Sequence, residues 1–306
     1  MAYHLGIDGG GTKTRCVLGD ETTVLATAMT GGCSVIRHGE QHAREALHTA
    51  IRQVCATAGV SPDRISAICI GVTGAARPEI AAKIRGILTE LIPKIAPTRI
   101  EVVGDNVIAL ESAFGEGPGV IAIAGTGSII YGRDAGGYTA RAGGWGFAIS
   151  DEGSGHWIGR RAISAILSAQ DRGLETVLTA MVFQTWKLST IDELVQQANS
   201  TPPPDFPRLF PIVLRAADEA DAIACELLSG AGAKLAELTA IVIRRLARAS
   251  VAMLPIAMTG SVFRQSLVVR QVFYNTLQTG FPGIDVGQDL VDPVEGALSR
   301  ARATRG

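Results

Sequence analysis

The chain has 306 residues, 47% of them hydrophobic and 19% charged, enough to bury a sizeable core in two domains of ordinary size. Lys and Arg number 28 against 29 Asp and Glu, a net charge of -1, which leaves no electrostatic footprint for nucleic acid or an anionic membrane. Met1 to Arg15 hold no apolar segment behind a basic flank, no stretch approaches about 18 uninterrupted apolar residues, and Cys16, Cys33, Cys55, Cys69 and Cys225 include no C-x-x-C pair; the expectation is a cytoplasmic protein whose reduced thiols mostly pack.

Tyr3 to Asp8 reads as a strand, followed by a glycine-rich turn and two more strands at Arg15 to Gly19 and Thr23 to Met29. Gln41 to Ala58 places Ala43, Ala46, Leu47, Ala50, Ile51 and Val54 at helical spacing. Ile65 to Val72 is a continuous apolar run, the mark of a strand covered on both faces. A helix at Glu79 to Leu91, a strand at Arg99 to Val103 and a helix at Asn106 to Phe114 complete a first β-β-β-α-β-α-β-α block. The pattern then restarts loosely, with strands at Gly119 to Ala124 and Ser128 to Gly132 around Gly125-Thr126-Gly127. Glu152 to Ala169 reads as a helix. Leu174 to Ala247 is dominated by helical spacing and broken by a surface loop at Thr201-Pro202-Pro203-Pro204. Arg244-Arg245-Leu246-Ala247-Arg248 reads as the wet face of a helix. A buried strand at Pro255 to Thr259, a turn at Gly260, a helix at Ser266 to Leu277 and a helical tail at Pro293 to Arg302 end the chain.

Five segments carry chemistry. In Asp8-Gly9-Gly10-Gly11-Thr12-Lys13-Thr14, three glycines let the backbone approach a ligand closely, and their successive N–H groups can cradle an anion. Thr12 and Thr14 add hydroxyls, Lys13 a positive charge, and Asp8 a carboxylate that could hold magnesium through water. Without the flanking Asp and Thr-Lys-Thr, an ordinary hairpin turn would be the better reading. The segment is no Walker A loop, because Thr12 follows Gly6-x-x-x-x-Gly11 where Lys is required. It is no dinucleotide fingerprint, because a strand follows instead of a helix. Ile123 to Ser128 repeats the strand–glycine–hydroxyl pattern, and together the two suggest hairpins on either side of one phosphate chain. Asp105, at the end of a buried strand, divides evenly between a functional carboxylate at the sheet mouth and a helix N-cap. Gly143 to Gly155 crowds glycines, Trp145, Phe147, Asp151 and Glu152 into one loop. That loop could offer a sugar a stacking face and carboxylates, or be a loop capped by Ser150 or Asp151. Gly260-Ser261 after a strand could let a base or ribose lie against the backbone. His38 and His42, four apart with Gly39 between them and no third ligand, read as surface histidines.

Taken in order, these segments resemble the BadF/BadG/BcrA/BcrD group of the sugar kinase, heat-shock protein and actin superfamily, and within it the N-acetylglucosamine and bacterial glucosamine kinases. The resemblance implies an α/β, two-lobed RNase H-like (actin-like ATPase) fold with mixed sheets and a helix-rich second lobe. The first lobe would be 1–117 plus a returning helix at 293–306, matched on Val294-Glu295-Gly296-Ala297, and the second 118–292. It implies ATP and Mg2+ as cofactors. Asp8 would take the metal. Gly10, Gly11, Thr12 and Lys13 would form the first phosphate loop, Gly125, Thr126 and Gly127 the second, and Gly260 the adenosine loop. Asp105 would be the catalytic base, which tips its even division toward function, and would share the sugar site with Gly144, Trp145 and Asp151. N-acetylglucosamine kinases carry an Asn after the third strand; Gly31-Gly32-Cys33-Ser34-Val35-Ile36 has none, and Ser34 is the substitute considered. The activity implied is transfer of phosphate to the C6 hydroxyl of N-acetylglucosamine, with glucosamine or N-acetylmuramate as alternative substrates, in a homodimer. Two readings of another class are a sugar sensor without catalysis and an ATPase activator of a partner enzyme. Such activators hold an iron–sulfur cluster through a Cys before the second loop, where Ile121-Ala122-Ile123-Ala124 has none.

Overall fold

A computed structural model describes residues 2–247 and 254–304. Arg248 of the arginine-rich stretch, and Met1, Arg305 and Gly306 at the expected lobe ends, lie outside the described residues. The chain divides into two compact units, Met1–Ile121 with Val291–Gly306, and Ala122–Leu290.

The first unit contains β1 (Tyr3–Gly9), β2 (Lys13–Gly19), β3 (Val24–Gly31), a short helix α1 (Val35–His38), α2 (Glu40–Ala58), β4 (Ile65–Val72), α3 (Pro78–Leu91), β5 (Ile100–Val103) and α4 (Asp105–Phe114). Its five strands lie in the order β3-β2-β1-β4-β5. β1 and β2, and β2 and β3, are antiparallel, whereas β4 is parallel to both β1 and β5. The uninterrupted apolar run of β4 is buried on both faces, as its composition requires. Ile68, Ile70 and Val72 pack with Leu47, Ile51, Ile84 and Leu88 of α2 and α3. Cys69 packs with Ile108 of α4 and with Ala297 and Ala301.

The second unit continues with β6 (Gly119–Ala124), β7 (Ser128–Arg133), β8 (Thr139–Gly143), α5 (Gly155–Arg172), α6 (Val177–Trp186), α7 (Ile191–Ala198), α8 (Phe210–Asp218), α9 (Ala222–Leu246), β9 (Ile256–Thr259), α10 (Ser261–Gln265), α11 (Leu267–Gly280) and β10 (Val286–Leu290). Its sheet order is β10-β9-β6-β7-β8, with β7 and β8 antiparallel and β9 and β10 parallel. The unit boundary falls inside β6. The edge strands β8 and β10 escape the sequence reading because their apolar alternation is short and one face stays wet. The helix expected from Glu152 begins instead at Gly155: Asp151 and Gly153 take left-handed backbone angles (φ 71° and 78°) that a helix cannot propagate, and Ser154 caps it, its Oγ accepting from Trp157 N at 3.1 Å.

The last helix, α12 (Pro293–Ala303), belongs to the first unit and lies backbone-close on it. A Cβ on Gly6 of β1 would sit 2.4 Å from Leu298 N, and one on Gly296 would sit 2.0 Å from Ile108 O. Only glycine permits such contacts. Arg300 then ties α12 to β5 and α4, its Nε donating to Glu101 at 3.1 Å and its Nη1 pairing with Glu111 at 3.4 Å.

Gly296→Ala therefore drives a methyl into the α4 backbone, and is expected to lower the unfolding free energy by about 3 kcal/mol in denaturant titration. A second expectation concerns His4 on β1, 8% exposed, whose Nδ1 has no hydrogen-bond partner. Burial holds its imidazole below the ordinary value, partly offset by a hydrogen bond to the Ala301 backbone. A group with a depressed folded pKa stabilises above its unfolded pKa and loses that contribution as pH falls through the folded one. The thermal midpoint should thus fall below about pH 6.5, and fall less steeply in His4→Leu, in melts from pH 7.5 to 5.

Candidate active site

In the first unit the glycine segment is the turn between β1 and β2, closed by Gly10 N donating to Lys13 O at 3.0 Å. Two carbonyls of this turn are tied to the segment after β3. Gly10 O accepts from Cys33 N at 3.2 Å, and Gly11 O from His38 Nε2 at 2.6 Å. Gly32 packs so tightly behind Gly11 that a Cβ on it would lie 2.4 Å from Gly11 O. A trans peptide points its N–H opposite to its C=O. The N–H of Gly11 therefore points away from Cys33 N and that of Thr12 away from the His38 ring, the kind of orientation an anion-binding nest uses. Lys13 is exposed beside them. Cys33, beneath the turn, has its thiol pushed up to about 11 by burial and stays a neutral packing group.

Asp8, one residue before the end of β1, is partly buried. Its carboxyl is pushed up to about 7, first by burial and then by the negative charges of Asp105 and Asp292, against the pull of Lys13 and Arg15. Asp292 is itself paired with Arg15 at 2.5 Å. Asp105 opens α4, but the cap position is Gly104. From one residue inside the helix, its carboxylate still takes an N–H of the first turn, and it is held by Thr73 as well. Its Oδ1 accepts from Asn106 N at 2.9 Å and its Oδ2 from Thr73 Oγ1 at 2.7 Å, which fixes the carboxylate plane at the mouth of the sheet. Among the described residues, no three His, Cys, Asp or Glu side chains form a metal cage. The crowding of carboxylates about Asp8 nonetheless fits a hard cation such as magnesium, which takes one or two carboxylates and keeps several waters.

Ser34 is 6% exposed and caps α1, its Oγ accepting from Arg37 N at 3.4 Å. That capping bond uses one lone pair of the hydroxyl oxygen; its O–H remains a donor. His38 is exposed, as expected, but not idle: besides gripping Gly11 O, its ring lies 4.9 Å from that of His42, across the α1–α2 junction.

In the second unit, three separated segments converge. The turn after β6 is closed by Gly125 N donating to Gly127 O at 2.9 Å. Its carbonyls are tied back by the start of α5: Gly125 O accepts from Gly155 N at 2.8 Å and Thr126 O from His156 N at 3.2 Å. A Cβ on Gly127 would lie 2.9 Å from Asp151 Oδ2, and one on Gly260 only 2.2 Å from Ala124 O. Gly260 also has φ 107°, a conformation other residues rarely take. Asp151 is 7% exposed, and its carboxylate lies under the Gly127 turn. Neither Ser150 nor Asp151 caps α5; Ser150 Oγ donates to Glu152 instead, at 2.7 Å. Gly144 turns with φ 66° against the Ile129 side chain. Trp145 is 66% exposed, with the Arg141 guanidinium 4.0 Å over its ring. Its open face remains a surface on which a ligand could stack.

Thr73, Asp292 and the gripping role of His38 are missed by sequence reasoning. Thr73-Gly74 directly after a buried strand is a turn signal that could have found the first. The other two become visible only when distant segments meet.

Two mixed five-stranded sheets, each feeding glycine turns, make an actin-like fold of the sugar-kinase class. The chain belongs to the BadF/BadG/BcrA/BcrD ATPase family, matching its description over residues 5–299. It is similar to an N-acetylmuramic acid/N-acetylglucosamine kinase of Clostridium acetobutylicum, 37% identical over 198 residues, which are 64% of this chain and 63% of that one, short of two thirds of its length. It is 28% identical to an N-acetyl-D-glucosamine kinase of Dictyostelium discoideum over 306 residues, 96% of this chain and 95% of the other. The structure of a provisionally assigned N-acetylglucosamine kinase from Chromobacterium violaceum superposes with a TM-score of 0.77 at 30% identity, covering 98% of this chain and 99% of that one.

Gly260→Ala should cost about 3 kcal/mol of stability, because strained φ and a backbone clash coincide. It should also weaken binding of a fluorescent ATP analogue. Gly280→Ala, whose Cβ meets nothing within 4 Å, is the control expected to leave both unchanged.

Proposed function

We propose that this protein is an ATP-dependent hexosamine kinase that phosphorylates the C6 hydroxyl of N-acetylglucosamine, with glucosamine and N-acetylmuramate as the alternative acceptors. The observation that carries the reading is the carboxylate of Asp105, oriented by Thr73 and the Asn106 N–H beside Asp8, in the same unit as a glycine turn whose carbonyls are tied. Family membership and the kinase relatives support it.

Asp105 accepts the proton of the sugar hydroxyl as its oxygen attacks the γ-phosphorus of ATP. The bond from that phosphorus to the bridging oxygen breaks, and ADP leaves with the electron pair. The transition state is loose, so positioning and charge neutralisation dominate. Gly10, Gly11, Thr12 and Lys13, with Gly125, Thr126 and Gly127, are the residues the resemblance implies as donors to the phosphates. Gly260 lets adenosine lie against the backbone. Magnesium, held through Asp8, supplies charge neutralisation when bound. Gly144 and Trp145 offer the sugar a turn and an aromatic face, with Ser34 and Asp151 shaping the segments beside it. The two units are the two lobes of the kinase, and the working form is a cytoplasmic homodimer, as in the family the sequence resembles.

The test is ADP release with ATP and magnesium against N-acetylglucosamine, glucosamine, N-acetylmuramate, glucose and no sugar. The expected result is sugar-dependent ADP, greatest with N-acetylglucosamine and matched one-to-one by sugar 6-phosphate. ADP without sugar would favour an activator, and sugar binding without ADP a sensor. Asp105→Asn should lower kcat about 10²–10⁴-fold while direct ATP binding persists.

A further inference from the structure

Carbonyls of the two glycine turns are tied, among the described residues, by three backbone bonds, Cys33 N to Gly10 O, Gly155 N to Gly125 O and His156 N to Thr126 O, and by a fourth bond of another kind. The fourth is a side chain, His38 Nε2 to Gly11 O at 2.6 Å. Because the partner is a carbonyl oxygen, Nε2 must carry the proton. The Gly11 carbonyl and the Thr12 N–H belong to one peptide plane, so whatever holds the former aims the latter. His38 is also the last residue of α1, whose first turn is capped by Ser34 and closed by His38 N donating to Ser34 O at 3.0 Å. Packing against His42 at 4.9 Å limits where the ring can swing.

We propose that His38 is a positioning residue for nucleotide binding: its imidazole sets the orientation of the Gly11–Thr12 peptide, and with it the direction of the Thr12 N–H, in the turn that takes the phosphates. The inference rests on the kinase reading only in taking this turn as the nucleotide site. Pre-organisation of this kind lowers the ordering cost of binding rather than the chemical barrier. Removing one hydrogen bond of this type costs affinity roughly tenfold or less.

The experiment is titration of the whole protein with a non-hydrolysable ATP analogue and magnesium, without sugar, for the native chain, His38→Ala and His38→Gln, alongside steady-state kinetics. His38→Ala is expected to weaken analogue binding and raise the KM for ATP by about five- to tenfold, with kcat at saturating ATP changed less than twofold. His38→Gln, which keeps an N–H donor, should recover most of the loss. His38 is exposed, and matched thermal midpoints check that each variant is folded. Native-like nucleotide affinity in His38→Ala overturns the inference, as does a fall in kcat with unchanged KM or a glutamine variant no better than alanine. If the native chain itself binds no analogue, the kinase reading falls, and this inference with it.

Discussion

The ties behind the glycine turns are the constraint on which both candidate turns depend. A glycine-rich turn is conformationally permissive and by itself points its peptides anywhere. Here each turn is closed by its own short bond, Gly10 to Lys13 or Gly125 to Gly127, and two successive carbonyls are held by a segment distant in sequence. With each carbonyl engaged, planarity of the peptide points the N–H that follows it away from the tie. The two units reach this arrangement with different partners: a post-strand loop and a short helix in the first, the start of α5 in the second.

That arrangement explains the glycines as much as the glycines explain it. Gly32 lies against Gly11, Gly127 against the Asp151 carboxylate and Gly260 against Ala124, each at a distance that excludes a side chain. The same device recurs in the scaffold, where Gly6 and Gly296 let α12 touch β1 and α4 backbone to backbone. Close approach fixes α12 against β1, which carries Asp8, and α4, which begins with Asp105. Asp292, which stands just before α12, thereby joins the carboxylates that raise the Asp8 pKa. A cluster of like charges is costly to keep together without a counterion; Arg15 supplies part of the compensation, and a bound cation would supply the rest.

Much of the fold is legible in the sequence because burial dictates composition. The continuous apolar run of β4, the helical spacing of α2 and the strand–glycine–strand openings all follow from which faces meet water. The short edge strands β8 and β10 are not legible, since an edge strand with one wet face carries little periodic signal. The start of α5 is misread for a related reason. Helix propensity runs upstream of Gly155, but left-handed angles at Asp151 and Gly153 end it, and those angles are imposed by packing against the Gly127 turn and α9.

The same division holds in the site. Sequence alone determined which residue types stand at strand ends: a carboxylate before three glycines, hydroxyls within both turns, and an acid after β5. These are local, because a strand, a sharp turn and the residues beside it are contiguous in the chain. Tertiary structure decided what those groups do. It turned Asp151 inward, gave the Asp105 carboxylate a bond from Thr73 besides the local one from Asn106 N, and brought His38 onto Gly11. The bonds from Thr73 to Asp105 and from His38 to Gly11 join segments whose separation in sequence carries no signal of their meeting. A residue's chemistry is written in the chain, but its partner is chosen by the packing of the sheets and helices around it.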